Sequence, residues 1–293
     1  MQTESVNPTK AKVLRRIAQS ASERLMRAAS LPVGLLTFQA RARAVERLSD
    51  NMITTIATGI GPIRFYCPAQ LPAGRAENLL RKEPETIEWI DSFSDGSVFW
   101  DVGANVGVYS LYAAAGHNVS VLSFEPLAAN FHVLSKNIEL NAFGSRVTAY
   151  CVALCGATGL GVLNMASSAM GAALSQFGQP GDKSPYCSDH TVCSMHGMIG
   201  FSIDDFIGQF DPPFPTYMKL DVDGLELTII EGARRTLQNP KLRSLMVELS
   251  LSNKNDRDHA VSLLNECGFV LDSLGAPQET EAGVGANHLF QRS

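Results

Sequence analysis

Two acidic residues of this 293-residue chain come at the ends of apolar stretches, where a cofactor-binding sheet would need them. Asp101 lies in the stretch Val98–Val102, and the turn Gly103-Ala-Asn-Val-Gly107 then opens a helix. In open parallel sheets, ligands bind beyond the carboxyl ends of the strands, and an acid roughly 20 residues after the turn accepts hydrogen bonds from ribose hydroxyls. Glu125 is that acid, so the two motifs together predict an adenosine-containing cofactor. The alternative is that the glycines only shape a turn and Glu125 is a solvated strand-end acid.

The spacing of the glycines narrows the choice of cofactor. A dinucleotide needs G-x-G-x-x-G, and a nucleoside triphosphate needs G-x-x-x-x-G-K-[ST]. Counted from Gly103, the second and third glycine positions are Asn105 and Val108, and no triphosphate loop is present. S-adenosylmethionine carries no phosphate, and its ammonium group needs a carboxylate, a role that suits Asp101.

From residue 97 onward, apolar strands alternate with helices, which is typical of a mostly parallel sheet covered on both faces. We predict a Rossmann-like α/β fold with a seven-stranded sheet and a helical N-terminal extension. The predicted strands cover 98–102, 119–124, 147–152, 217–220, 245–249, 269–271 and 288–291, with an added strand at 160–165. The predicted helices cover 109–115, 128–140, 225–237 and 257–267, a short helix starts at 203, and the Gly-, Ser-, Pro- and His-rich stretch 166–200 is predicted to be a long loop.

Taken together, the motifs of the chain resemble those of the FkbM family of S-adenosylmethionine-dependent methyltransferases. The resemblance covers about residues 76–293, and we place a separate extension with a short hairpin at 1–75. The motifs occur in family order: Asp101-Val-Gly-Ala-Asn-Val-Gly107-Val-Tyr-Ser110, Phe124-Glu125-Pro126 with Asn130 and Asn137, Ala153-Leu154, Ser202-Ile-Asp204-Asp205-Phe206, Lys219-Leu-Asp221-Val-Asp223-Gly224-Leu-Glu226, Val247-Glu248 and Asn287-His-Leu-Phe290. Asp223 stands where the family commonly has Glu.

The resemblance implies the cofactor-binding residues. Asp101, Gly103, Asn105 and Gly107 would line the methionine end, Glu125 would bind the ribose, Ala153 would border the adenine, and Asp221 would face the sulfonium and the acceptor. The whole implied set is Asp101, Gly103, Ala104, Asn105, Gly107, Glu125, Pro126, Asn130, Ala153 and Asp221.

A hydroxyl acceptor is a weak acid, so methyl transfer to it requires a base or a metal ion that lowers its pKa. Asp221 is the first candidate for the base, and Lys219, Glu226 and Glu248 complete the predicted catalytic set. The residue types also allow structural roles. Asp221 could only position the cofactor, Lys219 could form a structural ion pair, and Glu226 could be an acid that favours a helix N-terminus.

A cluster of thiols and imidazoles, Cys187, His190, Cys193 and His196, has the residue types that zinc prefers. Its even spacing of three is not that of a standard zinc finger. Zinc binding, a base role for either histidine, and a polar loop without a metal all stay open, so metal dependence is unassigned.

Charge is unevenly distributed along the chain. Residues 1–50 carry nine Lys and Arg against four Asp and Glu, and residues 51–293 carry 15 against 25. The acidic main part is a poor partner for nucleic acid. The basic stretch 10–30 is predicted to be an amphipathic helix that packs on the domain or on a partner subunit, contacts a membrane surface, or acts as a transit peptide.

We expect a cytoplasmic protein, which could be peripheral to a membrane. Its six cysteines show no disulfide-framework spacing, and no apolar run approaches the roughly 18–20 residues of a membrane span. The expected acceptor is a hydroxyl group of a saccharide or another small natural product. An N-methyltransferase acting on a macromolecule is the alternative, although Asp221-Val-Asp-Gly lacks the [DN]-P-P-[YF] sequence of amino-group methyltransferases. A non-catalytic cofactor-binding protein and a homo-oligomer also stay open.

Overall fold

A computed structural model describes residues 37–180, 192–280 and 283–293. The predicted helix at 10–30 and two of the candidate zinc ligands, Cys187 and His190, lie outside these ranges. The helices are α1 Phe38–Asp50, α2 Gln70–Glu77, α3 Pro84–Asp91, α4 Val108–Gly116, α5 Ala128–Leu140, α6 Ile203–Phe210, α7 Glu226–Glu231, α8 Arg234–Gln238 and α9 Lys254–Glu266. The strands are β1 Ile53–Thr58, β2 Gly61–Tyr66, β3 Val98–Val102, β4 Ser120–Phe124, β5 Val147–Tyr150, β6 Ala153–Leu154, β7 Gly159–Met165, β8 Ser175–Gly178, β9 Ser194–Phe201, β10 Tyr217–Leu220, β11 Ser244–Ser250, β12 Phe269–Leu274, β13 Gln278–Thr280 and β14 Gly283–Arg292.

The central sheet has the strand order β12-β14-β11-β10-β3-β4-β5, and β13 pairs with β14 as an eighth strand. Strands β11, β10, β3, β4 and β5 pair in parallel, whereas β14 is antiparallel to both β11 and β12. The predicted Rossmann-like, mostly parallel sheet is therefore confirmed. The order reverses between β3 and β10, which is where an open α/β sheet forms a ligand-binding crevice.

Both faces of the sheet are covered, because successive side chains of a strand point to opposite sides. On β3, Trp100 packs in a core with residues of α6 to α9, and its neighbour Phe99 packs in a second core with residues of α3, α4 and α5. This double burial explains why the strands read as continuous apolar runs. The predicted single helix 225–237 is divided in two at Gly232, where an added Cβ would lie 2.6 Å from the carbonyl oxygen of Gly156.

The chain divides into two compact units between Met52 and Ile53. In the first unit, Thr37 caps α1 by accepting a hydrogen bond from the Ala40 amide, and no side chain of α1 is buried. The second unit begins with the antiparallel hairpin β1–β2 that was predicted at 53–66. Ile63 and Phe65 of β2 are fully buried in the core that contains α3 and α4. The proposed division at 75/76 stays a prediction.

A second sheet, with the order β6-β9-β7-β8, follows β5. Its strand β7 confirms the added strand predicted at 160–165. The prediction of a loop over 166–200 is wrong in part, because β8 and most of β9 lie there. These two strands pair with β7, one on each side of it. None of the helices in the described ranges combines the length and apolar character that a membrane crossing requires.

Candidate active site

Asp101, the last residue but one of β3, carries a buried carboxylate. The hydroxyl of Ser110, from the first turn of α4, donates a hydrogen bond of 2.5 Å to its Oδ2 atom, and Ser123 of β4 lies 2.7 Å from Ser110. Burial raises the pKa of Asp101 to about 6, although the Ser110 hydrogen bond and the Lys219 cation both favour the charged form. Asp101 is therefore mostly ionised at neutral pH and suited to a cationic group.

The turn after Asp101 is pressed against the end of β10. Gly103 has φ +88°, and a Cβ there would lie 1.8 Å from the carbonyl oxygen of Asp221. The amide of Asp221 donates to the carbonyl of Val102 at 3.0 Å, which links the ends of the two strands. Gly107, the N-cap residue of α4, has φ +84°. Only glycine fits at Gly103, because both the left-handed backbone and the close approach exclude a side chain.

Glu125, at the end of β4, is buried and held by backbone and side-chain donors. Its Oε2 accepts from the Asn105 amide at 2.8 Å, and its Oε1 accepts from the Leu127 amide at 2.8 Å and from the side chain of Asn130 at 3.4 Å. Burial raises the pKa of Glu125 to about 7 despite these donors. Asn105 and Asn130 also both donate to the carbonyl of Ala172, which fixes the 171–174 segment over this site.

Lys219 of β10 and Asp221, the residue directly after that strand, form a buried ion pair. The Lys219 side chain is 1% exposed, and its Nζ lies 2.5 Å from Asp221 Oδ2 and 3.5 Å from Glu83 Oε2. It also lies over the ring of Tyr109, 5.0 Å from the centroid. Burial opposes its charge, but Asp221 and Glu83 raise the pKa of Lys219. Burial likewise opposes the charge of Asp221, yet Lys219 holds the pKa of that carboxyl well below its usual range.

Glu248, on β11, is the neighbour of Asp221 on the other side. The negative charge of Asp221 is the largest cause that raises the pKa of Glu248 to about 10, followed by burial and a hydrogen bond between the two side chains. Glu248 is therefore protonated at neutral pH and donates to the Asp221 carboxylate. The Asp221 side chain keeps 24% of its surface exposed, so it can still be reached from the cavity.

Glu226 stabilises the turn between β10 and α7. Its carboxylate accepts from the amides of Val222 at 2.9 Å and Gly224 at 3.2 Å. Asp223, between those residues, has the left-handed φ of +57°, which costs a non-glycine residue about 1–2 kcal/mol. Its Oδ2 accepts from the Leu174 amide at 2.7 Å. Glu226 thus positions Asp223 and the backbone of this turn.

Two cavities, of about 630 and 450 Å³, meet at these strand ends. Residues common to both are Leu71, Arg75, Lys82, Gly103, Asn105 and Asp221. The larger cavity is also lined by Glu125, Pro126, Asn130, Asp223 and Glu248, and the smaller one by Asp101, Ala104, Tyr109, Glu83 and Lys219. Of the predicted cofactor-binding and catalytic residues, Gly107, Ala153 and Glu226 line neither cavity. Ala153 is buried in β6, where it pairs with Gly200.

The donors and acceptors of the cavities fit S-adenosylmethionine. The buried Oδ1 atom of Asn105 has no hydrogen-bond partner in the described part of the chain, so it is free to accept from a ligand. Asp101 and Asp221 offer carboxylates to an ammonium and a sulfonium, and Glu125 offers acceptors to ribose hydroxyls. These side chains accept hydrogen bonds or carry negative charge, as a cationic cofactor without phosphate requires.

Of the candidate zinc ligands in the described ranges, His196 lies on β9 of the second sheet and Cys193 directly precedes that strand. The Cys193 thiol donates to the carbonyl of Ala166 at 2.8 Å, and His196 is exposed on β9. Within residues 37–180, 192–280 and 283–293, no group of three or more His, Cys, Asp or Glu side chains could hold a metal ion. Because Cys187 and His190 lie outside these ranges, the zinc hypothesis stays a prediction.

Several cavity residues were not identified from the sequence. Arg75, Lys82 and Glu83 come from α2 and the segment before α3, far along the chain from the strand ends, and Tyr109 was noted only as a helix residue. Asp223 was noted for its difference from the family pattern and not as a site residue. A pairing signal did exist for Lys219 and Asp221, because residues two apart on a strand lie on the same face.

The Methyltransferase FkbM domain family model matches residues 101–271 of this chain. A relative from Beauveria bassiana, described as Methyltransferase 1, is 26% identical over 199 residues, which cover 61% of this chain and 74% of the relative. Among solved structures, magnesium protoporphyrin IX methyltransferase from Synechocystis PCC 6803 with bound SAM is 12% identical, with a TM-score of 0.44 and coverage of 76% of this chain and 82% of that one. Precorrin-6y C5,15-methyltransferase from Geobacter metallireducens is 13% identical, with a TM-score of 0.41 and coverage of 72% and 86%.

Proposed function

Because this chain belongs to the FkbM methyltransferase family, we propose that it transfers a methyl group from S-adenosylmethionine to a hydroxyl oxygen of a saccharide or another small natural product. The observation that carries the proposal is the ring of strand-end carboxylates, Asp101, Glu125 and Asp221, around two joined cavities. Such a site suits a cationic adenosine cofactor, and the polar side chains among its lining residues suit a hydroxylated acceptor.

The cofactor supplies an electrophilic methyl group on a positively charged sulfur. Transfer breaks the bond from that methyl carbon to sulfur, forms a bond to the acceptor oxygen, and requires that the hydroxyl proton move to a base. Three carboxyl groups line the cavity beside the turn after β10, and their protonation states differ. Asp221 stays ionised beside Lys219 and is a weak base, and Glu248 already holds a proton.

Asp223 is a stronger base than Asp221, because the pKa of Asp223 is raised and that of Asp221 is lowered. Burial and the charge of Asp221 raise its pKa, and its carboxylate lines the larger cavity. One oxygen accepts from Leu174, which leaves the other available to a ligand. We therefore assign proton acceptance to Asp223. Asp221 orients the acceptor hydroxyl and favours the sulfonium, and Glu248 and Lys219 hold Asp221 in place.

Calorimetry with S-adenosylmethionine and S-adenosylhomocysteine, with ATP and NAD as controls, tests the cofactor. We expect binding of the first two only, and no binding of either would overturn the proposed function. A screen of hydroxyl and amine acceptors with labelled methyl donor then tests the acceptor class. Transfer to amines alone would favour the alternative N-methyltransferase.

In that screen, Asp223→Asn is expected to lower turnover at least 100-fold while S-adenosylhomocysteine binding stays within about threefold, since general-base catalysis contributes about 10²–10⁴-fold. Asp272→Asn, an exposed change on β12, is the matched control. Near-normal turnover of the Asp223→Asn variant would remove Asp223 from the base role and return Asp221 to it.

A further inference from the structure

Arg75 lies on the wall of α2 where the two cavities meet. Its Nε donates to the carbonyl of Gly171 at 2.8 Å, and this is the one hydrogen bond that its guanidinium makes within the described ranges. Its two terminal nitrogens are therefore without a partner there. The half-buried side chain holds an unpaired, planar fork of donors beside a ligand cavity.

The other cations of the cavity walls are already neutralised. Lys82 Nζ lies 3.0 Å from Glu83 Oε1, and Lys219 lies between Asp221 and Glu83. No Asp or Glu side chain of the described ranges comes within salt-bridge distance of Arg75; Asp223 feels its charge only from farther away. Arg75 is thus the cavity cation best placed to receive an anion from a ligand.

The shape of the cavities indicates which part of a ligand reaches Arg75. Glu125, the ribose acceptor, lines only the larger cavity, and Asp101, the carboxylate suited to an ammonium, lines only the smaller one. A cofactor that places its ribose at Glu125 and its ammonium at Asp101 must extend past Gly103 and Asp221. Arg75 lines the cavity on both sides of that passage.

We infer that Arg75 binds the carboxylate at the amino-acid end of the cofactor. This inference rests on the proposed function, since that end carries one ammonium and one carboxylate. With Asp101 facing the ammonium, the carboxylate needs a cation on a different wall. The guanidinium fork matches a carboxylate with two parallel hydrogen bonds, which a lysine cannot provide.

Two probes separate this role from a structural one. S-adenosylhomocysteine has the carboxylate, and 5′-deoxy-5′-(3-aminopropylthio)adenosine keeps the adenosine and the amine but lacks it. Arg75→Gln is expected to weaken S-adenosylhomocysteine binding about tenfold or more, a loss of about 1.4 kcal/mol, and to leave the decarboxylated probe within about twofold. Arg81→Gln, an exposed change outside both cavities, is the matched control and should alter neither affinity.

Loss of the Gly171 hydrogen bond alone would weaken the binding of both probes, because the 171–174 segment covers the Glu125 side of the site. Equal weakening of both probes, or no weakening of either, therefore overturns the inference. If Arg75→Gln does not fold, Arg75→Lys keeps the charge without the fork and must still weaken S-adenosylhomocysteine selectively. Failure of the unchanged protein to bind S-adenosylhomocysteine would instead overturn the proposed function.

Discussion

The Asp221 carboxylate interacts with two neighbours, one charged and one protonated. Lys219 is a buried cation at 2.5 Å, and Glu248 is a carboxyl whose pKa is raised to about 10. A charged pair removed from water is stable only when further groups complete its hydrogen bonds. Here the protonated Glu248 donates to Asp221, and the Thr86 hydroxyl donates at 3.0 Å to Glu83, the second counter-ion of Lys219.

Removal of the Asp221 charge should lower the pKa of Glu248. In an Asp221→Asn variant, we expect the pKa of Glu248 to fall from about 10 toward its ordinary range, because the Asp221 charge is the largest cause of its rise. Burial still acts on Glu248, so its pKa should stay above the usual 4.5. Carbon-13 NMR titration of labelled glutamate carboxyls measures the change.

Asp272→Asn provides the reference spectrum for this titration. An Asp221→Asn variant in which Glu248 still titrates near pH 10 would show that burial alone sets its pKa. The coupled description of this carboxyl pair would then be wrong.

The sequence predicted the acids at the strand ends because each follows an apolar stretch. It could not predict Glu83 beside Lys219 or Arg75 at the cavity junction, because both come from segments before β3. Their positions depend on how α2 and the start of α3 pack over the sheet. The spacing of residues that are close in sequence does not indicate how these distant segments pack.

At the level of elements, the β3–α4 turn depends on a glycine that meets the backbone of another strand. Gly103→Ala should lower the free energy of unfolding by about 4 kcal/mol or more, because the added Cβ must displace the Asp221 carbonyl. Gly96→Ala is a matched control, since Gly96 has a similar φ of +76° but no atom within 4 Å of the added Cβ. We expect about 1–2 kcal/mol there from backbone strain alone. Chemical denaturation measures both.

Equal losses for these two variants would contradict the close approach of the turn to β10 and leave only strain as the cause. A larger loss at Gly103 would be accompanied by loss of S-adenosylhomocysteine binding, because the same carbonyl belongs to the cavity residue Asp221.

Titration of Glu226, in the turn after β10, should make the free energy of unfolding depend on pH. Burial raises its pKa to about 7, from an ordinary 4.5, so the folded protein binds this proton more tightly than the unfolded chain does. The stabilising effect of protonation is complete below about pH 4.5, and it is lost as the pH rises to 7. From this group we expect the free energy of unfolding to fall by about 3 kcal/mol across that interval.

Glu226→Gln should remove that part of the decline, since the amide oxygen still accepts from the Val222 amide but does not ionise. Urea unfolding of both proteins at pH 5 and pH 8 provides the comparison. An unchanged difference between the two pH values would show that Glu226 is not the titrating group.

Periodicity was enough to predict the alternating strands and helices of the central sheet. It failed at 166–200, where β8 and β9 contain Ser, Gly and His and belong to a small sheet with few buried side chains. Without a two-sided core, such strands carry no continuous apolar run, so their composition resembles that of a loop. The pairing partner β7 was recognised because its second half is apolar.

For the whole molecule, the structure separates two candidate truncations. A chain of residues 53–293 should keep the thermal stability and the S-adenosylhomocysteine affinity of the full chain. A chain of residues 76–293 should lose both, because it lacks β2, whose Ile63 and Phe65 are fully buried, and also Arg75. Differential scanning calorimetry and binding calorimetry on the two truncated chains test this.

Full stability of the 76–293 chain would support a domain that begins at residue 76, as the sequence motifs alone suggested. Instability of both truncated chains would instead mean that residues 1–52 contribute to folding.

The Lys219 ion pair also bears on how this enzyme could be recombined with its relatives. Family similarity delimits a module of residues 101–271, yet Glu83 lies before that module, and β14, which pairs with β11 and β12, lies after it. A chimera that exchanged only the matched module would take Lys219 away from one of its two counter-ions and insert a foreign strand beside β11. The unit that can be transferred is therefore longer than the segment that the family model matches. Two crossover points, one before residue 83 and one after residue 292, would keep Lys219 with both counter-ions and β14 with β11 and β12.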